Sequence, residues 1–136
     1  MMRILRHVIF SIFVLTPFKS LAAQDNQFIC IAEKSTGFSL SGGKWISTDF
    51  TTSKIKYLVK KSEKFPDKMS VHEFGVDTPK YECTFDAIKI VCDDYLRYMT
   101  ISIDNLRFQE IYGVGYVFGD YPGNTPSMTI GTCSRI

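Results

Sequence analysis

The residues best suited to covalent chemistry in this chain are its four cysteines, Cys30, Cys83, Cys92 and Cys133. A cysteine can act as a nucleophile, ligate a metal or form a disulfide, and its spacing and context favour one role over the others. No Cys-x-x-Cys pair occurs, and steps of 53, 9 and 41 residues do not fit the ligand set of a zinc site. An even number of cysteines in a small exported domain instead favours two disulfides, for which three pairings exist.

One of these pairings is favoured by the segment between the two central cysteines. Cys83 and Cys92 flank eight residues that can fold back as a hairpin and place the two sulfurs opposite each other. A local Cys83–Cys92 disulfide leaves Cys30 to pair with Cys133, which ties the first strand of the domain to the last. We therefore predict these two disulfides and expect neither a metal nor a cofactor.

Histidine and carboxylate residues offer little further scope for catalysis. His72 is the single histidine after residue 23, and we expect it on the surface of a strand, without the neighbours that a histidine-based nucleophilic site needs. Asp93 and Asp94 are adjacent, so in a strand they point to opposite faces and cannot flank a substrate as glycosidase carboxylates do. We predict no catalytic residues; an enzyme using His72 with a carboxylate is a less favoured alternative.

The best candidate for a binding surface is the loop 119–127, Gly-Asp-Tyr-Pro-Gly-Asn-Thr-Pro-Ser. It presents a tyrosine beside charged and amide groups, and loops of this kind carry binding residues in many folds. We predict that Asp120, Tyr121 and Asn124 form a binding loop.

The elements that must position these residues follow a leader segment. Residues 1–23 have the order of a cleavable signal peptide, with basic residues first, then the apolar run 8–15, then small residues before a cut near Ala23. The apolar run is shorter than the roughly 20 residues that span a bilayer. We predict a single domain over residues 24–136 that is periplasmic or secreted and has no membrane span after cleavage.

Charge argues against a nucleic-acid partner. The whole chain carries 16 basic and 14 acidic residues, but Arg3, Arg6 and Lys19 belong to the leader. Their loss leaves 13 basic residues against 14 acidic ones, a net charge of −1, so the domain has no general attraction for a polyanion. We interpret the remaining local cluster as a solvated strand face: Lys54, Lys56, Lys60, Lys61, Lys64 and Lys68.

After the leader, apolar and polar residues alternate in short runs separated by turn residues, a pattern typical of β-strands. Nine or ten such runs predict an all-β fold, a small disulfide-stapled antiparallel β-barrel or sandwich. Ser41-Gly42-Gly43 predicts a tight hairpin turn. A second hairpin is predicted from the runs 106–112 and 114–118, and the only helical turn is predicted over 93–98.

The layout of the cysteines carries a resemblance. An early strand cysteine, a central Cys-x8-Cys and a terminal Ile130-Gly131-Thr132-Cys133-Ser134 are similar to small exported two-disulfide proteins of proteobacteria. This resemblance implies a periplasmic or secreted address and carries no activity with it.

Two further resemblances supply alternatives. Gly43-Lys44-Trp45 resembles the Gly-x-Trp of the first lipocalin strand, which implies a carrier of a small apolar ligand, although we expect Trp45 to be a plain core residue. The segment 41–45 is distantly similar to the inhibitory loop of periplasmic lysozyme inhibitors but lacks its Ser-Gly-x-x-Tyr pattern. That similarity implies a lysozyme-inhibitor-like envelope protein.

The lack of a catalytic pattern, the stapled scaffold and the aromatic loops favour a non-enzymatic binding or interaction module. Its partner is expected to be a protein or a small molecule of the envelope or the extracellular space. Neither nucleic acid nor a cofactor is expected to bind.

Overall fold

The computed structural model describes residues 26–136, which form nine β-strands and one short 3-10 helix. The predicted leader, residues 1–23, lies outside the described residues. None of the helical structure in this described part is long and apolar enough to cross a membrane. The strands are β1 (Phe28–Ser41), β2 (Lys44–Phe50), β3 (Lys56–Lys61), β4 (Lys68–Glu73), β5 (Tyr81–Asp86), β6 (Lys89–Asp94), β7 (Arg97–Ser102), β8 (Arg107–Tyr112) and β9 (Ser127–Arg135), and the 3-10 helix is Gly115–Phe118.

Eight of the strands close into a barrel. They follow the order β1-β3-β4-β5-β6-β7-β8-β9, and β9 pairs back with β1, so that every neighbouring pair is antiparallel. The ninth strand, β2, lies outside this ring and pairs with the second half of β1. The predicted all-β fold is confirmed, and it is a barrel.

Both predicted disulfides are confirmed. Cys30 and Cys133 face each other across the β1–β9 pair, and Cys83 and Cys92 face each other across the β5–β6 pair. All four residues are buried in the barrel interior. Because such bonds persist in oxidising surroundings, the folded domain belongs outside the reducing cytoplasm.

The two ends of the barrel differ in the length of their connections. Successive antiparallel strands connect alternately at opposite ends, so strand order assigns each connection to one end. We call one end the mouth, which includes the longest connection of the described chain, residues 113–126. We call the other the closed end. The mouth carries 51–55, 74–80, 95–96 and 113–126, and the closed end carries 62–67, 87–88 and 103–106.

Inward-facing side chains change character along the barrel. Those toward the closed end are apolar and pack with both disulfides into one core. Those nearest the mouth are polar or hydroxyl-bearing aromatic residues. Tyr81, Glu110 and Thr129 are buried there, and the more exposed Glu73 pairs across the strands with the buried Tyr57. The lumen is therefore divided into an apolar core and a polar mouth.

The tight turn predicted at residues 41–43 is confirmed. Ser41 pairs with Lys44, and Gly42 and Gly43 take φ values of 57° and 73°, which residues with a Cβ atom rarely adopt. The turn joins β1 to β2 and sends this hairpin past the barrel at the mouth.

Two other local predictions are wrong. Residues 114–118 are not a strand, because β8 already pairs with β7 on one edge and β9 on the other, which leaves no edge for a hairpin partner. They include a 3-10 helix instead, in which the space that a Cβ would need at Gly115 is filled by the Asn124 carbonyl oxygen. Residues 93–98 form no helical turn: Asp94 accepts backbone hydrogen bonds from Leu96 and Arg97 and caps the short β6–β7 turn.

Candidate functional site

A pocket of about 500 Å³ opens at the mouth, and we call it the mouth pocket. Its walls come from two groups of segments. One group is the middle of β1, the end of β2, the segment before β3 and the β4–β5 connection; the other is the start of β7, the end of β8, the loop 113–126 and the start of β9. Its charged lining residues are Lys54, Lys56, Lys80, Arg97, Glu73 and Glu110.

A buried carboxylate network forms the floor of this pocket. Glu110 points inward from β8 and is only 8% exposed. Tyr57 donates its hydroxyl proton to Glu110 Oε2 and Tyr81 donates to Oε1, each at 2.5 Å. Because Tyr57 lies on β3 and Tyr81 on β5, the two phenols reach across the lumen to β8 and close it beneath the pocket.

The ammonium group of Lys80 completes the floor. Its Nζ lies 3.0 Å from Glu110 Oε1 and 3.1 Å from Glu73 Oε1, and it donates to Tyr57 Oη at 3.2 Å. An ammonium has three protons, so these contacts use its full donor capacity. The floor residues therefore bond to one another, and the Lys80 ammonium has no donor left over.

The protonation state of the floor follows from this geometry. Burial raises the pKa of Glu110, but the Lys80 charge and the hydrogen bonds from both tyrosines outweigh it and hold that pKa below its ordinary value. Burial first, and then the adjacent Glu110 carboxylate, raise the pKa of Tyr57 and of Tyr81. The floor is an ionised carboxylate beneath two neutral phenols.

Above the floor, the guanidinium group of Arg97 lies over an aromatic ring. Its guanidinium carbon lies 5.2 Å from the centroid of the Tyr112 ring. Tyr112 donates its hydroxyl proton to Asn124 Oδ1, and Asn124 Nδ2 donates to the Gly115 carbonyl at 2.8 Å. A stacked guanidinium loses less freedom when its planar fork binds a carboxylate or phosphate. None of the ion pairs formed among residues 26–136 includes Arg97.

Lys54 and Lys56 bring further positive charge from the other side of the barrel. Lys56 begins β3 and Lys54 lies just before it, whereas Arg97 begins β7, so the cations reach the pocket from well-separated strands. Four cationic and two anionic side chains line the pocket, which gives a net charge of +2. The mouth pocket is therefore positive although the domain as a whole is nearly neutral.

The predicted binding loop lies at this pocket. Gly123 and Thr125 line it, so the loop forms one wall. Two of the three predicted residues bond to the protein itself: Asn124 holds Tyr112 as described, and Asp120 accepts a hydrogen bond from Trp45 at 2.7 Å. Tyr121, which is 64% exposed, is free to meet a partner.

Trp45 is not a core residue, contrary to expectation. It is half-buried on β2 and packs edge-on against Tyr116 with 5.4 Å between ring centroids. Because β2 lies outside the closed ring, Trp45 does not reach the apolar core. Trp45 instead fastens the loop 113–126 to the β1–β2 hairpin.

His72 is also placed differently from the prediction of a strand-surface residue, since it is only 6% exposed. Its Nε2 lies 3.0 Å from Ser70 Oγ and its Nδ1 lies 3.3 Å from the Val76 carbonyl oxygen. Ser70 is 2% exposed, which hides its hydroxyl from a substrate. The arrangement instead ties β4 to the connection 74–80, which carries Lys80 to the pocket floor.

Sequence reasoning missed the central residues of this site, although strand alternation held a signal for two of them. Glu110 is in phase with the inward Phe108, and Arg97 is in phase with the inward Met99. A charged residue at an inward position of a strand marks a polar site inside the barrel. Tyr57 and Tyr81, which bond to Glu110, lie on β3 and β5. Their proximity to β8 could not be predicted without knowing that the strands close into a barrel.

Among residues 26–136, no group of three or more histidine, cysteine or acidic residues is arranged to hold a metal ion. Comparison with known proteins yields no matching family model, no matching curated protein and no matching solved structure.

Proposed function

We propose that this protein is a non-enzymatic binding module of the periplasm or the extracellular space, and that it takes an anionic group into the mouth pocket. The observation that carries this proposal is Arg97, which is stacked on Tyr112 and has no ion-pair partner within the described chain. The anion is either a small molecule or an exposed group of a larger partner.

The pocket floor favours binding over turnover. A general acid or base needs a pKa near the working pH and an oxygen free to exchange a proton. Glu110 has a lowered pKa, and its two oxygens accept from Tyr57, Tyr81 and Lys80. Its role is to support the pocket as a fixed anion.

The lining also makes a small apolar ligand less suitable, and with it the lipocalin-like alternative. Such a ligand would cover Arg97 and Lys56 without offering them a partner, and burying an unpaired charge is costly. A ligand with negative charge recovers that cost through charge-assisted hydrogen bonds.

Thermal unfolding of the oxidised protein tests the proposal. A panel of carboxylates and phosphates, each with a neutral counterpart, should contain anions that raise the melting temperature. A ligand at 100 times its dissociation constant adds about 2.7 kcal/mol to the stability. The R97Q variant should lose this response.

The matched control is R107Q, which makes the same substitution at an exposed arginine toward the closed end. It should respond to the anions as the wild type does. The proposal fails if no anion raises the melting temperature, or if R97Q and R107Q respond equally.

A further inference from the structure

We infer that the anionic ligand is a sugar that bears a carboxylate, such as a uronic acid or a short oligomer of one. This inference rests on the proposed function, because it assigns a ligand class to the same mouth pocket. Three features of the lining carry it: hydroxyl groups at several depths, aromatic faces, and the fork of Arg97.

Hydroxyl groups line the pocket from the rim toward the floor. Near the rim, Thr125 and Ser127 make no side-chain hydrogen bond to any other described residue. Deeper, the hydroxyls of Ser35 and Thr129 lie 2.8 Å apart and bond to each other, which leaves further lone pairs for a ligand. A matching ligand is therefore polar along its whole length.

This distribution separates a sugar acid from a simpler acid. A carboxylate on an aliphatic stem, such as an acidic side chain of a protein, would pair with Arg97 and leave the hydroxyls along the wall without partners. Polar groups that lose water without gaining a partner weaken binding. A sugar carries a hydroxyl on most of its carbons and can pair with several of these groups at once.

Aromatic rings supply the other surface that a sugar needs. Phe74, Phe50 and Tyr112 line the pocket, and 60% of the surface of Phe74 is exposed. The C–H groups of a pyranose make an apolar face that packs on such rings while its hydroxyls point sideways. Rings and hydroxyls in one pocket therefore match the two kinds of surface of a single sugar.

The charge and size of the pocket complete the assignment. The planar fork of Arg97 fits a carboxylate with two parallel hydrogen bonds, and Lys54 and Lys56 add positive charge on the other side. The volume of about 500 Å³ lies within the range of pockets that hold small organic ligands. One or two sugar rings are the expected occupant.

Isothermal titration calorimetry of the oxidised protein tests the ligand class. The probes are the disaccharides of galacturonate, glucuronate and mannuronate, with the methyl ester of each as a neutral match. Acetate, inorganic phosphate and a tripeptide of glutamate serve as anions without a sugar. At least one uronate should bind about tenfold or more tightly than its ester and than every anion without a sugar.

The outcomes separate this inference from the function on which it rests. If acetate, phosphate or the acidic peptide binds as tightly as the best uronate, the sugar assignment is overturned while anion binding stands. If no probe binds at all, both are overturned. If the neutral ester binds as tightly as its acid, the carboxylate does not contribute to binding, and the proposal that the pocket takes an anionic group is overturned.

A pair of variants tests the hydroxyl wall directly. T125V/S127A removes two hydroxyls from the pocket and should lower the affinity for the uronate about tenfold, whereas T100V/S134A removes the same two kinds of hydroxyl from outside the pocket and should not. A melting temperature close to that of the wild type shows that each variant folds. Equal uronate affinities in the two folded variants would overturn the inference.

Discussion

Arg97 lies directly opposite Tyr112 in the β7–β8 pair, and its guanidinium carbon is 5.2 Å from the centroid of the tyrosine ring. The exposed cation at the edge of the mouth pocket is thereby held by the neighbouring strand. Tyr112 is held in turn by Asn124 of the loop 113–126. A residue on the loop thus influences the pocket through two intermediates.

Replacing Tyr112 by leucine should weaken anion binding although no charge is removed. Without the ring, Arg97 loses its stacking partner and must be ordered by the ligand itself. We expect Y112L to lose most of the anion-induced rise in melting temperature and Y112F to retain it, because phenylalanine keeps the ring. Equal responses in the two variants would show that stacking does not position Arg97.

The two neighbouring loop residues Asn124 and Tyr121 should differ in their effect on stability. N124A removes the acceptor of the Tyr112 hydroxyl and the donor to the Gly115 carbonyl, and should cost about 1–3 kcal/mol. Y121A alters an exposed side chain and should change the free energy of unfolding by less than about 0.5 kcal/mol. Urea denaturation of both variants checks this difference, which a similar loss in each would contradict.

Removing the charge of Glu110 should destabilise the barrel. E110Q leaves the ammonium of Lys80 with one carboxylate instead of two, and breaking a buried pair in this way costs about 3 kcal/mol. E63Q is the matched control, because Glu63 is exposed and pairs with Lys60 on the surface. Denaturant titrations should show a large loss for E110Q and a small one for E63Q.

The same carboxylate should shape the stability at acid pH. The pKa of Glu110 is lower in the folded protein than in the unfolded chain, so the unfolded chain binds more protons as the pH falls. Its contribution is therefore present above the unfolded value of about 4.3 and is lost as the pH falls below that value. The acid limb of a stability–pH curve should be shallower for E110Q than for the wild type.

At alkaline pH the two floor tyrosines should resist ionisation. The pKa of Tyr57 and that of Tyr81 are raised by burial and by Glu110, so the unfolded chain releases their protons first. Their contribution is present below the ordinary value of about 10 and is lost as the pH rises above it. Tyrosinate absorbance should show two of the seven tyrosines ionising only as the circular dichroism of the fold is lost, and full ionisation in the folded state would contradict this.

The two disulfides should contribute unequally to stability. Their partners are 103 and 9 residues apart in sequence, and closing the longer loop restricts the unfolded chain more. In the chain-entropy model the Cys30–Cys133 bond contributes about 4.7 kcal/mol and the Cys83–Cys92 bond about 2.7 kcal/mol. Paired alanine variants compared by denaturant unfolding should show the larger loss for C30A/C133A; the reverse order would count against an entropic origin.

Local sequence signals predicted the parts of the fold that depend on neighbours in the chain. Gly42 and Gly43 predicted the turn between β1 and β2. The short spacing of Cys83 and Cys92 predicted the hairpin that joins them. The strand predicted over 114–118 failed for a non-local reason: the edges of β8 were already taken by β7 and β9. The strand propensity of a segment does not show whether a neighbouring strand still has a free edge with which it can pair.

The candidate site was harder to predict because its residues meet only when the ring closes. Tyr57 and Glu110 are 53 positions apart and lie on strands that are not neighbours in the barrel. The composition of the loop 119–127 predicted a binding loop, and its Gly123 and Thr125 line the mouth pocket, but the contacts of Asn124 could not be foreseen without the position of Tyr112. Alternation of residue types could have revealed Glu110 and Arg97, but not the groups they contact.

The network around Glu110 separates the solvent-facing lining of the mouth pocket from the packed core. Substitutions at Lys54, Lys56 or Thr125 alter the surface that meets solvent without disturbing the packed residues on the far side of Glu110. Under the proposed function, substitutions in the lining of the mouth pocket can therefore change which ligand binds while the core and both disulfides are retained.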